Sequence, residues 1–84
     1  MDKWLWHSRF YKSRSIAATE IRLGKFRVNG IKIAKPSRLL KEGDIIIFFS
    51  KEEFCAVKVL NFTERRCSAT EAHTLYQNLL WDGL

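Results

Sequence analysis

Apolar positions change period along the chain, and each change predicts an element. Residues 2–10 (DKWLWHSRF) predict a first helix with Asp2 as N-cap, although Trp4, Leu5, Trp6 and Phe10 lie on more than one side of it. A second helix is better marked. Ser13 stands as N-cap, Ile16, Ala17, Ile21 and Leu23 form an apolar arc, and Gly24 is placed for a left-handed C-terminal cap. At about 100° per residue, Arg14, Ala18 and Arg22 lie on the other side, with Arg14 and Arg22 two turns apart. Glu20 falls inside the apolar arc and calls for a neighbouring cation that the sequence does not name.

After Gly24 the period becomes two. In GKFRVNG, residues 24–30, an extended chain turns Phe26 and Val28 to one side and Lys25 and Arg27 to the other. Asn29-Gly30 is a hairpin turn signal, and a short Ile31/Ile33 stretch follows with Lys32 between. Lys35-Pro36-Ser37 breaks the strand, because proline lacks an N–H and restricts the residue before it. Gly43-Asp44 marks a turn before a strand over Ile45–Phe49. Residues 54–60 (FCAVKVL) predict a partner strand after a polar turn at Ser50–Glu53. Ser68 with Glu71 reads as a capping box, and Ala72, Leu75, Tyr76, Leu79 and Leu80 then follow helical spacing, predicting a closing helix. The order is α+β: two helices on a small, mostly antiparallel sheet, then a C-terminal helix.

Composition narrows the class. The 84 residues fit one domain spanning 1–84, and 46% hydrophobic content argues against disorder. No apolar run approaches the roughly 20 residues of a membrane span, the first residues lack the order of a signal peptide, and Cys55 and Cys67 form no disulfide frame or metal pair. A reduced, cytoplasmic setting is expected. Charge is unevenly placed. Residues 1–41 carry eleven Lys or Arg against Asp2 and Glu20, a net of +9, whereas residues 42–84 carry four against seven acids, a net of −3. Such separation suggests a polyanion partner.

Little in the chain offers catalysis. His7 and His73 are far apart in sequence, with no Ser, Cys or carboxylate in a recognisable motif around either. Cys67 follows Arg65-Arg66, but a packed thiol is the simpler reading; no phosphate loop or zinc spacing occurs. No enzyme activity, cofactor or metal is expected. Binding is better supported. Lys12 and Arg14 flank the start of the second helix, whose amides favour anions, Arg22 lies along it, and Lys25, Arg27, Lys32 and Lys35 follow. If the helix packs on the strand through Ile16, Ile21, Phe26 and Val28, these cations converge on one surface able to track phosphates. Trp4, Trp6, Phe10 and Tyr11 are candidates for base stacking, with core packing expected for at least two.

Several of these elements together resemble a known module. Ser13-Arg14-Ser15-Ile16-Ala17, Ile21, Gly24-Lys25, Val28-Asn29-Gly30, Lys35-Pro36-Ser37 and Gly43-Asp44-Ile45 look like the S-four (alpha-L) RNA-binding domain, with its core over about residues 2–50. Within that superfamily, DKWLW, RFYKSRS and ERRCSATEAHTLYQNLL are similar to the family of small heat-shock, ribosome-associated proteins. On this resemblance the chain is expected to lack the long charged extension of that family and to be nearer in length to compact relatives acting on stalled large subunits. The resemblance implies binding to structured ribosomal RNA, and association with free large subunits carrying peptidyl-tRNA, in ribosome quality control or recycling. Position by position it implies RNA-facing roles for Arg9, Lys12, Arg14, Lys25 and Lys35; Arg22, Arg27 and Lys32 are added from geometry. The alternatives are a stand-alone domain binding tRNA or another structured RNA, and a protein-interaction module using exposed aromatics. A monomer is expected, since nothing in the sequence demands a dimer.

Overall fold

The structure of the chain is a computed structural model that describes residues 1–50 and 53–79. Helix α1 spans Asp2–His7, and Met1, not Asp2, is its N-cap. Asp2 is already helical, and its carboxylate accepts from the Lys3 amide at 2.8 Å. The helix is also shorter than the 2–10 block. Arg9 takes a left-handed conformation (φ 68°), and the amides of Arg9 and Phe10 donate to the carbonyls of Trp6 and Leu5 at 3.1 and 3.0 Å. This double closure ends a helix and reverses the chain, a position usually held by glycine.

Helix α2 covers Arg14–Arg22, with the Ser13 hydroxyl accepting from the Ile16 amide at 3.1 Å, as expected of an N-cap. Its buried stripe is rotated from the expected arc: Ala17, Ala18 and Ile21 are buried, while Ile16 and Leu23 are exposed. The reason is α1, which packs against α2 and covers a different side of it from the expected arc. Gly24 ends α2 at φ 78°, its amide donating to the Ile21 carbonyl at 3.0 Å.

Among the described residues five strands follow in the spatial order β2-β1-β3-β4-β5, all pairs antiparallel. They are β1 (Phe26–Val28), β2 (Ile31–Ile33), β3 (Ile45–Ser50), β4 (Glu53–Val59) and β5 (Tyr76–Asn78). Asn29 and Gly30 are both left-handed (φ 52° and 84°), the geometry a two-residue hairpin turn requires. The same asparagine also locks two turns together. Its side chain accepts from the Ile45 amide and donates to Asp44, each at 3.0 Å, while Asp44 accepts from the Lys41 amide at 2.9 Å. The expected turn at Ser50–Glu53 lies partly outside the described residues, although Ser50 and Glu53 pair across it.

The closing helix is a correction. The capping box is present, with Ser68 and Glu71 bonding each other's backbone amides, but α3 spans only Ala69–Ala72. The chain then extends into β5, which pairs with β4 through Val57↔Asn78, Lys58↔Gln77 and Val59↔Tyr76. An unpaired edge on the seven-residue β4 outweighs the helical spacing, because each ladder bond satisfies backbone groups on both strands. Ala72 and Leu75 still reach the core; Leu80 lies outside the described residues.

The core lies between the helices and one face of the sheet. Leu5, Ile21, Phe26, Val28, Ile46, Phe48, Val57 and Val59 are almost wholly buried. Phe26 stacks on Phe48 at 4.9 Å, and Phe10 meets Phe48 edge-on at 5.4 Å. At about 1.5–3 kcal/mol for each large side chain fully buried, these residues supply the main favourable term of folding. The segment after β4 is stitched to the first turn. The Cys67 amide donates to the His7 carbonyl at 3.1 Å, and Arg66 donates to the carbonyls of Trp6 and Tyr11 at 3.2 and 3.1 Å.

Candidate nucleic-acid interface

The Ser13 cap fixes where α2 begins, and hence which way its cations point. Lys12 is exposed just before the cap, and Arg14 is the first helical residue. Two turns on, Arg22 joins Arg14 along an open groove of about 290 Å³, lined also by Asp2, Ser15, Ala18 and Thr19. The expected pairing of Arg14 with Arg22 is therefore realised. Asp2 sits in the same groove, and Arg14 Nε lies 3.2 Å from its carboxylate. Lys25 Nζ lies 3.3 Å from Glu20, which supplies the partner that Glu20 lacked in the sequence. The cation of each pair is about half exposed, although Asp2 itself is only 13% exposed, so each pair contributes at most about 1 kcal/mol and the cations remain open to a phosphate.

The hairpin carries a second group. Arg27 and Lys32 occupy opposed register positions and project from the side of the sheet opposite Phe26 and Val28. The Lys32 stem runs along Gly24, whose position leaves only 2.8 Å between a notional Cβ and Lys32 Cε. Lys32 also borders a second groove, with Ile33, Ala34, Lys35, Ser37 and Arg38. The loop bearing Lys35 is held to α1, since the Asp2 amide and the Met1 amino group reach the Pro36 carbonyl at 3.3 and 3.0 Å.

The eight expected residues thus do not form one patch. Arg14 and Arg22 share one groove and Lys32 and Lys35 another, and Asp2 of the first groove bonds the Pro36 carbonyl in the loop that bears the second. Ile16 is not part of the packing that brings them together, because it is exposed. Arg27 bonds the Gly30 carbonyl at 3.4 Å, and Arg9 is tied to the C-terminal segment through the Cys67 carbonyl at 3.2 Å. Arg38, in the second groove, escaped the sequence reading; a loop has no period to mark it, and only its place among the eleven N-terminal cations pointed to it.

The aromatic residues are largely committed. Trp4 is buried and donates to the Asn61 carbonyl at 3.0 Å, Tyr11 is buried, and half-buried Trp6 lies under Arg66 at 5.8 Å from ring centroid to guanidinium. His7 is buried, and desolvation, reinforced by Lys3 and Arg14 and opposed by a Thr63 backbone bond, holds its pKa below the usual histidine value. It is therefore neutral near pH 7. His73 is exposed beside the Tyr76 hydroxyl at 3.4 Å, and Cys55 and Cys67 are unpaired thiols. Among the described residues no three His, Cys, Asp or Glu gather where a metal ion could be held, and no helix is long and apolar enough to cross a membrane.

Comparison with known proteins agrees with this architecture. The S4 domain family matches residues 1–46. A Heat shock protein 15 homolog of Aeromonas salmonicida is 40% identical over 77 residues, covering 92% of this chain and 58% of that protein. Heat shock protein 15 of Escherichia coli K12 is 38% identical over the same share of this chain and 57% of its own length. This chain therefore spans little more than half the length of those heat-shock relatives. The RQC P-site tRNA stabilizing factor of Halalkalibacterium halodurans is 34% identical over 92% of this chain and 85% of that protein. Among solved structures, a trimeric structure of Vibrio cholerae Heat Shock Protein 15 superposes with a TM-score of 0.87 at 35% identity, covering 94% of this chain and 79% of that one. With a family match over more than half its length, a shared fold and these relatives, the chain belongs to the S4 domain family and is a relative of Heat Shock Protein 15.

Proposed function

We propose that this protein is a non-enzymatic, ribosome-associated RNA-binding protein of the cytoplasm that recognises structured RNA through α2, the β1–β2 hairpin and the loop after β2. The observation that carries this reading is that Arg14 and Arg22 line one groove, and Lys32, Lys35 and Arg38 another on a loop bonded to α1. These cations belong to an N-terminal half with a surplus of nine positive charges, eleven Lys or Arg against two acids. Such a surface suits phosphate tracking and shape recognition of folded RNA, with few base-edge contacts. The finer reading is that the target is the large ribosomal subunit, free of its small partner and still carrying peptidyl-tRNA. Its support is similarity to a factor named for stabilising P-site tRNA, most of whose length this chain matches. A protein-interaction module built on the N-terminal tryptophans is less well supported, because Trp4 is buried and Trp6 lies beneath Arg66.

The test is a charge reversal. Lys12, Arg14 and Lys25 are exposed, and the ion pairs of Arg14 and Lys25 leave both cations about half open to solvent. Changing all three to Glu should leave a cooperative melt and abolish comigration with large subunits in sedimentation. Unchanged binding by the triple variant would show that the interface lies elsewhere.

A further inference from the structure

The face of the sheet turned away from α1 and α2 is apolar and cationic, and no described element covers it. Strand alternation with the buried residues places Ile47, Phe49, Phe54 and Ala56 on it, and the Leu79 amide bonds the Ala56 carbonyl at 2.7 Å beside them. Phe54 is 66% exposed and Phe49 43%, and their rings meet edge-to-face at 5.2 Å. Register puts Arg27 on the same face beside Ile47, Lys32 beyond it on the edge strand, and Lys58 between Ile45 and Gln77 further along the face. Among the described strand residues on this face there is no Asp or Glu.

An exposed aromatic pair on adjacent strands, sharing its face with three cations and, among the described strand residues, no carboxylate, matches the chemistry of unpaired nucleotides: rings receive bases and cations receive phosphates. A second copy of the same face would bring like charges together. The cations are also continuous with the hairpin of the proposed interface, because Arg27 and Lys32 belong to both. We infer that the outer sheet face takes unpaired RNA nucleotides, with bases stacking on Phe49 and Phe54 and phosphates held by Arg27, Lys32 and Lys58. This rests on the RNA-binding reading above and adds to it a second, single-stranded contact. A duplex that engages the α2 grooves would extend a bulge, loop or end over the sheet.

The experiment uses the whole chain and two RNAs, a blunt hairpin and the same hairpin with a short oligoadenylate extension, in fluorescence anisotropy. The extension should tighten wild-type binding about tenfold or more, the scale of one stacked base. The Phe49→Ala/Phe54→Ala variant should lose that increment while binding the blunt hairpin as wild type does. A Phe49→Leu/Phe54→Leu variant keeps the apolar surface and should lose most of the increment too, so a folding defect in the alanine variant does not blunt the test. Equal wild-type affinity for the two RNAs, or an increment that survives both substitutions, overturns the inference while the α2 interface stands. Failure to bind either RNA overturns the RNA-binding reading as well. Loss of ribosome comigration in the leucine variant, insensitive to salt and without any effect of the extension, would assign the face to a protein partner instead and also overturn the inference.

Discussion

Val28 and Arg27 are neighbours with opposite fates: one has no exposed surface, and the other stands on the outer face. A charge at the first site has no partner, so Val28→Asp should cost several kcal/mol, on the order of 3–5, enough to unfold a domain of this size. A cooperative melt at the wild-type temperature would contradict the core assignment. Gly24 is constrained twice, by its left-handed backbone and by the Lys32 stem beside it. Gly24→Ala should cost about 1–2 kcal/mol in denaturant unfolding and shift the Lys32 resonances, since the flexible amine end must move aside. His7 sets a pH dependence. Its pKa is lowered in the fold, mainly by burial, so between its folded value and the ordinary 6.5 the unfolded chain binds more protons. Stability should be full above that ordinary value and fall as pH drops through it, and a His7→Gln variant should show a flatter melting profile between about pH 7 and 5. Much at this scale was legible: alternation alone gave the faces of Phe26, Arg27 and Val28. The left-handed turn at Arg9 was not, because glycine usually marks such a site and a long cation occupies it here.

At the level of elements, local chemistry located boundaries well where a side chain caps the backbone. Ser13, Asn29-Gly30 and the Ser68–Glu71 box all act where the sequence places them. Ser68→Ala should therefore cost about 1 kcal/mol, read as a lowered denaturation midpoint with unchanged slope. What the sequence hid was decided between elements. The apolar stripe of α2 is rotated because α1 packs against this helix, and the helical spacing after Ser68 gives way to β5 because β4 has an edge to fill. Neither neighbour is visible in a local window. The candidate interface behaved similarly. The spacing of Arg14 and Arg22 marked one groove, but the second groove with Arg38 depends on a loop pinned to α1.

For the whole molecule, charge and fold divide the work. The acidic C-terminal half supplies β4 and β5 and anchors the first turn through Arg66 and Cys67, while the basic half presents the grooves. Binding dominated by about five phosphate contacts should show a log–log salt slope of about −3.5 to −4.5, at roughly 0.7–0.9 per phosphate, and a hydrophobic protein interface a much shallower one. The most direct measurement is sedimentation of the protein with separated small subunits, large subunits and whole ribosomes across a salt series, beside the Lys12→Glu/Arg14→Glu/Lys25→Glu variant. Salt-sensitive comigration of the wild type with large subunits, lost in the folded variant, is the predicted result. Absence of comigration with any particle, or binding that neither salt nor the variant weakens, would contradict it.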